Sequence, residues 1–317
     1  MLKRYPGSLR PALLLGGVLF SAGCLGLVVA DRAFGSDSGH KLSVYDGDPS
    51  SPDISGIWTE DIDILDRPDY RRWLVDGKPV ADTVNLSGEV AADAGLHTDR
   101  MAFLPYTPPY MAVWKHRVAM ARAGRPIASA SNYCWPLGPV HEYLDGVGQI
   151  TTPKGIFSSN DFEITQTPGR VMIIFTRDSQ VERIYTDGRK HRQLPRQQYT
   201  LHGDTIGHWE GNTLVADTID IRKEGDIAYD LPHSDELHVV TRYTLTPDKH
   251  LKIVFHITDP KALTKPVDLK LIFHRRPYGS ELREAFCAEN MSNMPDAEGY
   301  QQFTPPGKMP GWDLPPD

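Results

Sequence analysis

The chain has 317 residues, 40% of them hydrophobic, which is enough to bury a sizeable core in one large or two ordinary domains and excludes a disordered chain. Its formal net charge of -7 and pI near 5.9 come from acids and bases mixed along the whole length. No basic stripe is present to neutralise phosphates, so nucleic acid is not an expected partner.

The N-terminus places Lys3, Arg4 and Arg10 ahead of the uncharged apolar run "PALLLGGVLFSAGCLGLVVA", the pattern of an export signal over residues 1–30. Val28 and Ala30 have the small-residue spacing of a cleavage site, and cleavage near Ala30 is the first expectation. The run is also long enough to remain as an uncleaved membrane anchor, and "SAGC" faintly resembles a lipoprotein box at Cys24. All three outcomes make the protein exported, either periplasmic or tethered to the membrane and facing the periplasm. Disulfides persist in that compartment, and Cys134 and Cys287 are the cysteines left after the signal. One bridge between them would close a loop of about 150 residues and remove ~4–5 kcal/mol of unfolded-state freedom. Two buried free thiols are the alternative.

Residues 31–52 read as a polar linker, and the folded part, a single domain over 53–317, begins at "DISGIW". From Asp61 to Leu96 the pattern is acidic and aperiodic, with one short helix expected around "PDYRRWL". A clearer helix is expected over 107–123, with Thr107 as N-cap, prolines in the first turn and Gly124 as the stop. Met111, Trp114, Val118 and Ala121 form its apolar stripe, leaving His116 and Arg117 on the solvated side.

Beyond Gly155 the period changes to two. "DFEITQT", "RVMIIFTR", "QVERIYTDG", "QYTLHGDTIGHW", "NTLVADTIDI", "LHVVTRYTLT", "LKIVFHITD" and "VDLKLIFHRR" read as eight strands. The joints "TPGR", "TDGRK", "WEGN" and "TPDKH" carry tight-turn residues, so the strands form an antiparallel meander over 156–276. The fold class is therefore mainly β: a meander closing into a lipocalin-like barrel, with an N-terminal helix packed on it and an irregular tail over 281–317. In the last three strands the odd positions are apolar, as at Leu237, Val239, Tyr243, Phe255 and Phe273. The even positions carry Glu236, His238, Arg242, His256, Asp268 and His274.

Two resemblances follow from these residues. "SGIW" ahead of a meander that ends in "FHRR" resembles the lipocalin and calycin pattern, in which a Gly-x-Trp opens the first strand and a basic residue of the last strand packs over the Trp. Here those residues are Gly56, Trp58 and Arg275 or Arg276. About 100 residues separate Trp58 from the meander where a lipocalin has a short turn, a departure that leaves the topology open. "YCWPLG", "RIYTDGR", "HGDTIGHWEGNTLVADT", "PHSDELHVVTRY" and "CAEN" are similar to a group of exported bacterial proteins. That similarity implies export and a β-rich, barrel-like fold, and no particular activity.

The densest chemistry lies in "HSDELH". His233 and Asp235 share one strand face while His238 takes the other, so the segment does not read as a metal site. An acid–base centre needs only one His held by a carboxylate, with a cation near developing charge. The candidates are His233 oriented by Asp235, or His238 with Arg242. If the polar face turns outward, as alternation in a barrel favours, the second pair is solvated. Arg183, Tyr185, His202, Asp217 and Tyr243 complete the candidate ligand-binding set. Asp217, within an apolar strand, needs a partner such as Arg183 or Arg242 if buried. Trp209 beside Gly207 reads as packing, the ring lying over bare backbone. Ser-His-Asp order, phosphate loop and dinucleotide fingerprint are all lacking, so no cofactor is expected. The expectation is a barrel whose cavity holds an apolar or aromatic small molecule and that performs isomerase-, hydratase- or lyase-type proton transfer on it; a cavity closed by side chains would count against this and against a carrier. The alternatives are a non-catalytic carrier and a surface-assembly module.

Overall fold

A computed structural model describes residues 51–60, 72–80, 104–123, 125, 127–128, 130–144, 150–152, 155–157, 161–228, 231–282, 285, 287 and 313–315. The signal-like segment, most of the linker, Gly124 and most of the C-terminal tail lie outside the described residues. In chain order the elements are β1 (Gly56–Glu60), β2 (Arg72–Val75), β3 (Lys78–Pro79), α1 (Pro108–Arg122), β4 (Ile150–Thr152), β5 (Gly155–Phe157), β6 (Phe162–Thr167), β7 (Arg170–Phe175), β8 (Val181–Tyr185), β9 (Asp204–Glu210), β10 (Thr213–Ile219), β11 (Asp226–Ala228), β12 (Leu231–Pro232), β13 (His238–Leu245), β14 (His250–Thr258) and β15 (Val267–Arg275).

Nine of these strands close a barrel in the order β1-β6-β7-β8-β9-β10-β13-β14-β15, with β1 returning to β15. The ring therefore holds one strand more than the eight-strand meander, because β1 fits between its first and last strands. Directions cannot alternate all the way round a ring with an odd number of members, so one neighbouring pair must run parallel. That pair is β8 and β9, which meet through a single residue pair, Tyr185 and Ile206. A tight hairpin cannot join parallel neighbours, and residues 186–203 make the crossing. The expected strand "QYTLHGDTIGHW" accordingly begins only at Asp204; before it come a 3-10 turn over Arg196–Gln198 and a turn at Gly203, whose φ is +74°.

Alternation decides what fills the barrel. Val239, Thr241 and Tyr243, then Leu251, Ile253, Phe255 and Ile257, then Val267, Leu269, Leu271 and Phe273 are buried, while Arg242 and His256 are exposed. The apolar face points inward and the polar face outward. Tyr143, carried on a 3-10 turn over His141–Tyr143, enters this interior. Its ring packs edge-on against Phe162 and Phe175 at centroid distances of 5.2 and 4.9 Å and meets Phe255 at 5.2 Å. Such pairs add about 0.5–1.5 kcal/mol each beyond area burial. At one end Trp58 is fully buried, its indole N–H donates to the Ile54 carbonyl at 2.9 Å, and Arg275 lies over its ring at 4.9 Å. Arg275 rather than Arg276 takes this place; Arg276 bonds Asp161 at 2.8 Å. Gly56 has φ +113°, a conformation that glycine adopts most readily.

Three local expectations are corrected. "PDYRRWL" is not a helix where it is described: Arg72–Val75 is a strand on the outer flank of β15, with Leu74 opposite Asp268. It turns back at Asp76-Gly77, both with positive φ, the chemistry of a two-residue hairpin. The buried face of α1 holds Tyr110, Val113, Trp114 and Arg117, one step round from the expected stripe, with Met111 and Val118 at its margin. Arg117 is thus buried, because Asp226 and Asp313 converge on its guanidinium at 2.7 and 2.8 Å and offset its desolvation. The Thr107 hydroxyl, at the position expected to cap α1, donates to the Lys261 carbonyl at 2.7 Å, and the Thr107 carbonyl accepts the Met111 N–H at 2.8 Å.

Cys134 and Cys287 stand at disulfide distance with Cα atoms 5.4 Å apart, as expected from the sequence. Among the described residues no helix is long and apolar enough to cross a membrane.

The parallel seam depends on Gly207. A Cβ there would lie 2.6 Å from Ile184 Cγ2 of β8 and 2.9 Å from the Val215 carbonyl oxygen of β10. The bare backbone thus admits Ile184 across the seam. Gly207→Ala is expected to cost ~1–3 kcal/mol by overpacking, read as a fall of several degrees in Tm. An unchanged Tm would show that the seam yields freely.

Candidate functional site

The nominated residues separate into three places. Arg183, Tyr185, Asp217, His238 and Arg242 all lie on the outward side of β8, β10 and β13. Tyr243 and His202 belong to the inner side. His233 and Asp235 occupy the loop before β13.

The outward group is organised by the crossing segment. His191, from residues 186–203, places Nδ1 3.0 Å from Asp204 Oδ2 and Nε2 3.1 Å from Asp217 Oδ1. His238 Nε2 reaches the same Asp217 oxygen at 2.9 Å. Arg192 adds its backbone N–H and Nε to Asp204 at 3.0 and 2.7 Å. The result is an alternating chain, His238–Asp217–His191–Asp204, in which each contact is a hydrogen bond only while the nitrogen concerned carries a proton. The partner of Asp217 is therefore a pair of imidazoles, neither Arg183 nor Arg242. Arg242 instead bonds Glu210 at 2.5 Å.

The hydrogen bond from His238 holds the Asp217 carboxyl below its ordinary range against a partial burial that opposes it, and the same bond raises the His238 imidazole. Burial would raise Asp204, yet the bonds from His191 and Arg192 outweigh it and hold it down. His238 and Asp217 are each 41% exposed. Nδ1 of His238 has no hydrogen-bond partner among the described residues, so the dyad offers one ring nitrogen for proton exchange while the other is oriented by a carboxylate.

His191 also lines an open cleft of about 850 Å³ formed by the crossing segment over the outer surface of β9 and β10. Leu194, Pro195, Ile206 and Ile219 supply apolar surface, and Arg189, Lys190 and Arg192 supply charge. Arg189 stacks on the Tyr185 ring at 3.8 Å and pairs with Asp187 at 2.6 Å.

"HSDELH" has a different role from either pairing considered for it. His233 is buried and donates Nδ1–H to the Ser234 carbonyl at 2.7 Å; burial lowers its basicity. Asp235 does not orient it but pairs with Arg196 at 2.7 Å and Lys261 at 3.3 Å. Ser234 donates its N–H and hydroxyl to Asp259, both at 2.6 Å. His238 and Arg242 do not combine in a pocket. His233 borders a cavity of about 10 Å³, barely room for one water.

Inside the barrel Tyr143 donates to Glu182 Oε2 at 2.9 Å and meets the Tyr243 hydroxyl at 2.9 Å. Burial pushes the Glu182 carboxyl from about 4.5 up to about 7, against the bond from Tyr143. His202 stacks on Phe175 and is held by burial at about 4, with Nε2 3.8 Å from Glu142. His202 and Tyr243 thus contact aromatic and acidic neighbours, and at the level of Tyr143 the described interior is filled by side chains, so the ligand cavity expected inside the barrel is not found there.

Among the described residues no three His, Cys, Asp or Glu side chains are grouped to hold a metal ion. The chain matches no protein-family model and no curated protein.

Two pH dependences follow. Glu182 binds more protons folded than unfolded between about pH 4.5 and about 7, so its contribution to stability falls as pH rises across that range. Glu182→Gln is expected to flatten this part of the Tm–pH curve, and an unaltered slope would assign it to other groups. The His238–Asp217 pair has the opposite arrangement. Its stabilisation is lost as pH falls through the lowered pKa of Asp217 and as pH rises through the raised pKa of His238. Asp217→Asn is expected to move the His238 ring-proton NMR titration to lower pH, and an unmoved midpoint would remove the dyad.

Proposed function

We propose that this is an exported β-barrel protein that binds an apolar or aromatic small molecule in the outer cleft and carries out cofactor-free proton transfer on it, as an isomerase, hydratase or lyase does. One observation carries the reading: His191 forms part of the cleft wall and is joined through Asp217 to His238, so a proton-exchanging chain begins where a ligand has room. In this reading His191 lines the ligand's cleft with both ring nitrogens bonded, Nδ1 to Asp204 and Nε2 to Asp217; Nδ1 leaves Asp204 to exchange a proton with the ligand, Asp217 orients both imidazoles, and His238 exchanges the proton with solvent. Ile206, Ile219 and Leu194 supply the apolar contact. Export is supported by the basic-then-apolar N-terminus and by the paired Cys134 and Cys287. A cleaved signal and a retained membrane tether both fit that N-terminus.

Mass spectrometry of small molecules that copurify with the exported protein identifies the ligand. With that molecule in hand, Asp217→Asn is expected to lower turnover ~10²-fold or more, while His256→Asn, on the same outer face but away from the chain of four, leaves it unchanged. Turnover that survives Asp217→Asn would make the protein a carrier without chemistry. Binding indifferent to Ile206→Glu would place the ligand elsewhere.

A further inference from the structure

The cleft is not uniformly apolar, and its charges are distributed in a way that selects a ligand. Arg189, Lys190 and Arg192 are consecutive around His191 on the crossing segment, in a protein of net charge -7. Asp187 and Asp204, the carboxylates that pair with Arg189 and Arg192, do not line the cleft. Asp220 does line it, with Oδ2 buried and without a hydrogen-bond partner among the described residues, so one carboxylate faces the three cations. Arg192 spends its backbone N–H and Nε on Asp204 and is otherwise 60% exposed. Its two Nη groups have no partner among the described residues. Lys190 makes no ion pair among them either. A guanidinium with two unused Nη groups and an ammonium therefore stand beside Leu194, Ile206 and Ile219, the Arg192 side chain 60% exposed although its partner Asp204 is buried.

We infer that the ligand of this cleft is an amphipathic organic oxyanion, with its carboxylate or phosphate held by Arg192 and Lys190 and its apolar body laid on Ile206 and Ile219. The inference rests on the small-molecule reading above and narrows its ligand class. A guanidinium engages either oxyanion through two parallel N–H bonds, and charge-assisted bonds of this kind are about twice as strong as neutral ones. The anion would sit beside His191, so the proton-exchanging chain would reach the part of the ligand next to its charged group.

The test compares ligands that share one aromatic body and differ in charge: 1-naphthoate, 1-naphthyl phosphate, 1-naphthamide and 1-naphthylmethylammonium, titrated calorimetrically into the full-length protein. At least one of the two anions is expected to bind about tenfold or more tightly than the amide, the size of one charge-assisted hydrogen bond. Which anion binds better distinguishes a carboxylate ligand from a phosphate one. Arg192→Gln and Lys190→Gln should each bring that anion toward the amide's affinity and leave the amide unchanged. Equal affinities across the series, or tightest binding of the ammonium, would overturn the oxyanion inference while leaving a small-molecule cleft. Absence of binding by all four would remove the cleft reading itself. Inorganic phosphate binding as tightly as naphthyl phosphate would show an anion site to which the apolar floor contributes nothing.

Discussion

A closed ring of nine strands cannot alternate direction throughout, and this parity constraint shapes the rest of the molecule. One seam must be parallel, and the chain must cross it with a connection longer than a hairpin. The crossing, residues 186–203, is where the cleft, His191 and the cationic side chains come from. The seam has one registered pair, Tyr185 with Ile206, and close approach across it requires the absent side chain of Gly207. The crossing is secured by hydrogen bonds outside the sheet: His191 and Arg192 bind Asp204 at the first residue of β9, and His191 spans to Asp217 on β10. The same contacts that tie the crossing down also build the candidate site.

The two faces of the barrel handle ionisable groups in opposite ways. Outside, carboxylates and imidazoles pair in partial contact with water, where the desolvation cost is small, and the bonds shift Asp217 down and His238 up. Inside, among the described residues the Tyr143 phenol is the hydrogen-bond donor that offsets the burial of Glu182, and the carboxyl rises to about 7. The hydroxyl chain can run either way. With Glu182 ionised, Tyr143 donates to it and Tyr243 donates to Tyr143; with Glu182 protonated, the directions reverse. Either arrangement keeps the Glu182–Tyr143 and Tyr143–Tyr243 contacts bonded, which is how an acid is tolerated in an aromatic interior.

Much of the barrel was legible because period-two alternation is a local signal. The eight meander strands, the inward odd positions and the outward even ones follow from residue type, whereas the lipocalin resemblance implied a basic residue over Trp58 and left Arg275 and Arg276 open until the structure placed Arg275 there. The failures share a different cause. Arg117 looks solvated on a helical wheel, and only the distant Asp226 and Asp313 bury it. "RWLV", over Arg72–Val75, has no strand period, and the flank of β15 recruits it. His191 sits in "DGRKH", an exposed turn by composition, and no spacing rule brings it to Asp217, 26 residues further on. Of the site, the sequence offered Asp217 and His238 but not the residue that connects them to a cleft.

The density of "HSDELH" misled for the same reason. Residues adjacent in sequence were weighed as partners, whereas each found its partner across the fold: Ser234 with Asp259, Asp235 with Arg196 and Lys261, His238 with Asp217. The segment fastens the loop ahead of β13, with His233 buried behind it. That fastening fixes the start of the strand, and with it the register that sets Asp217 opposite Val240 and beside His238. The motif thus acts at one remove: its own acids hold the loop, and its last residue is delivered to the outer face, where the hydrogen-bonded chain His238–Asp217–His191–Asp204 begins.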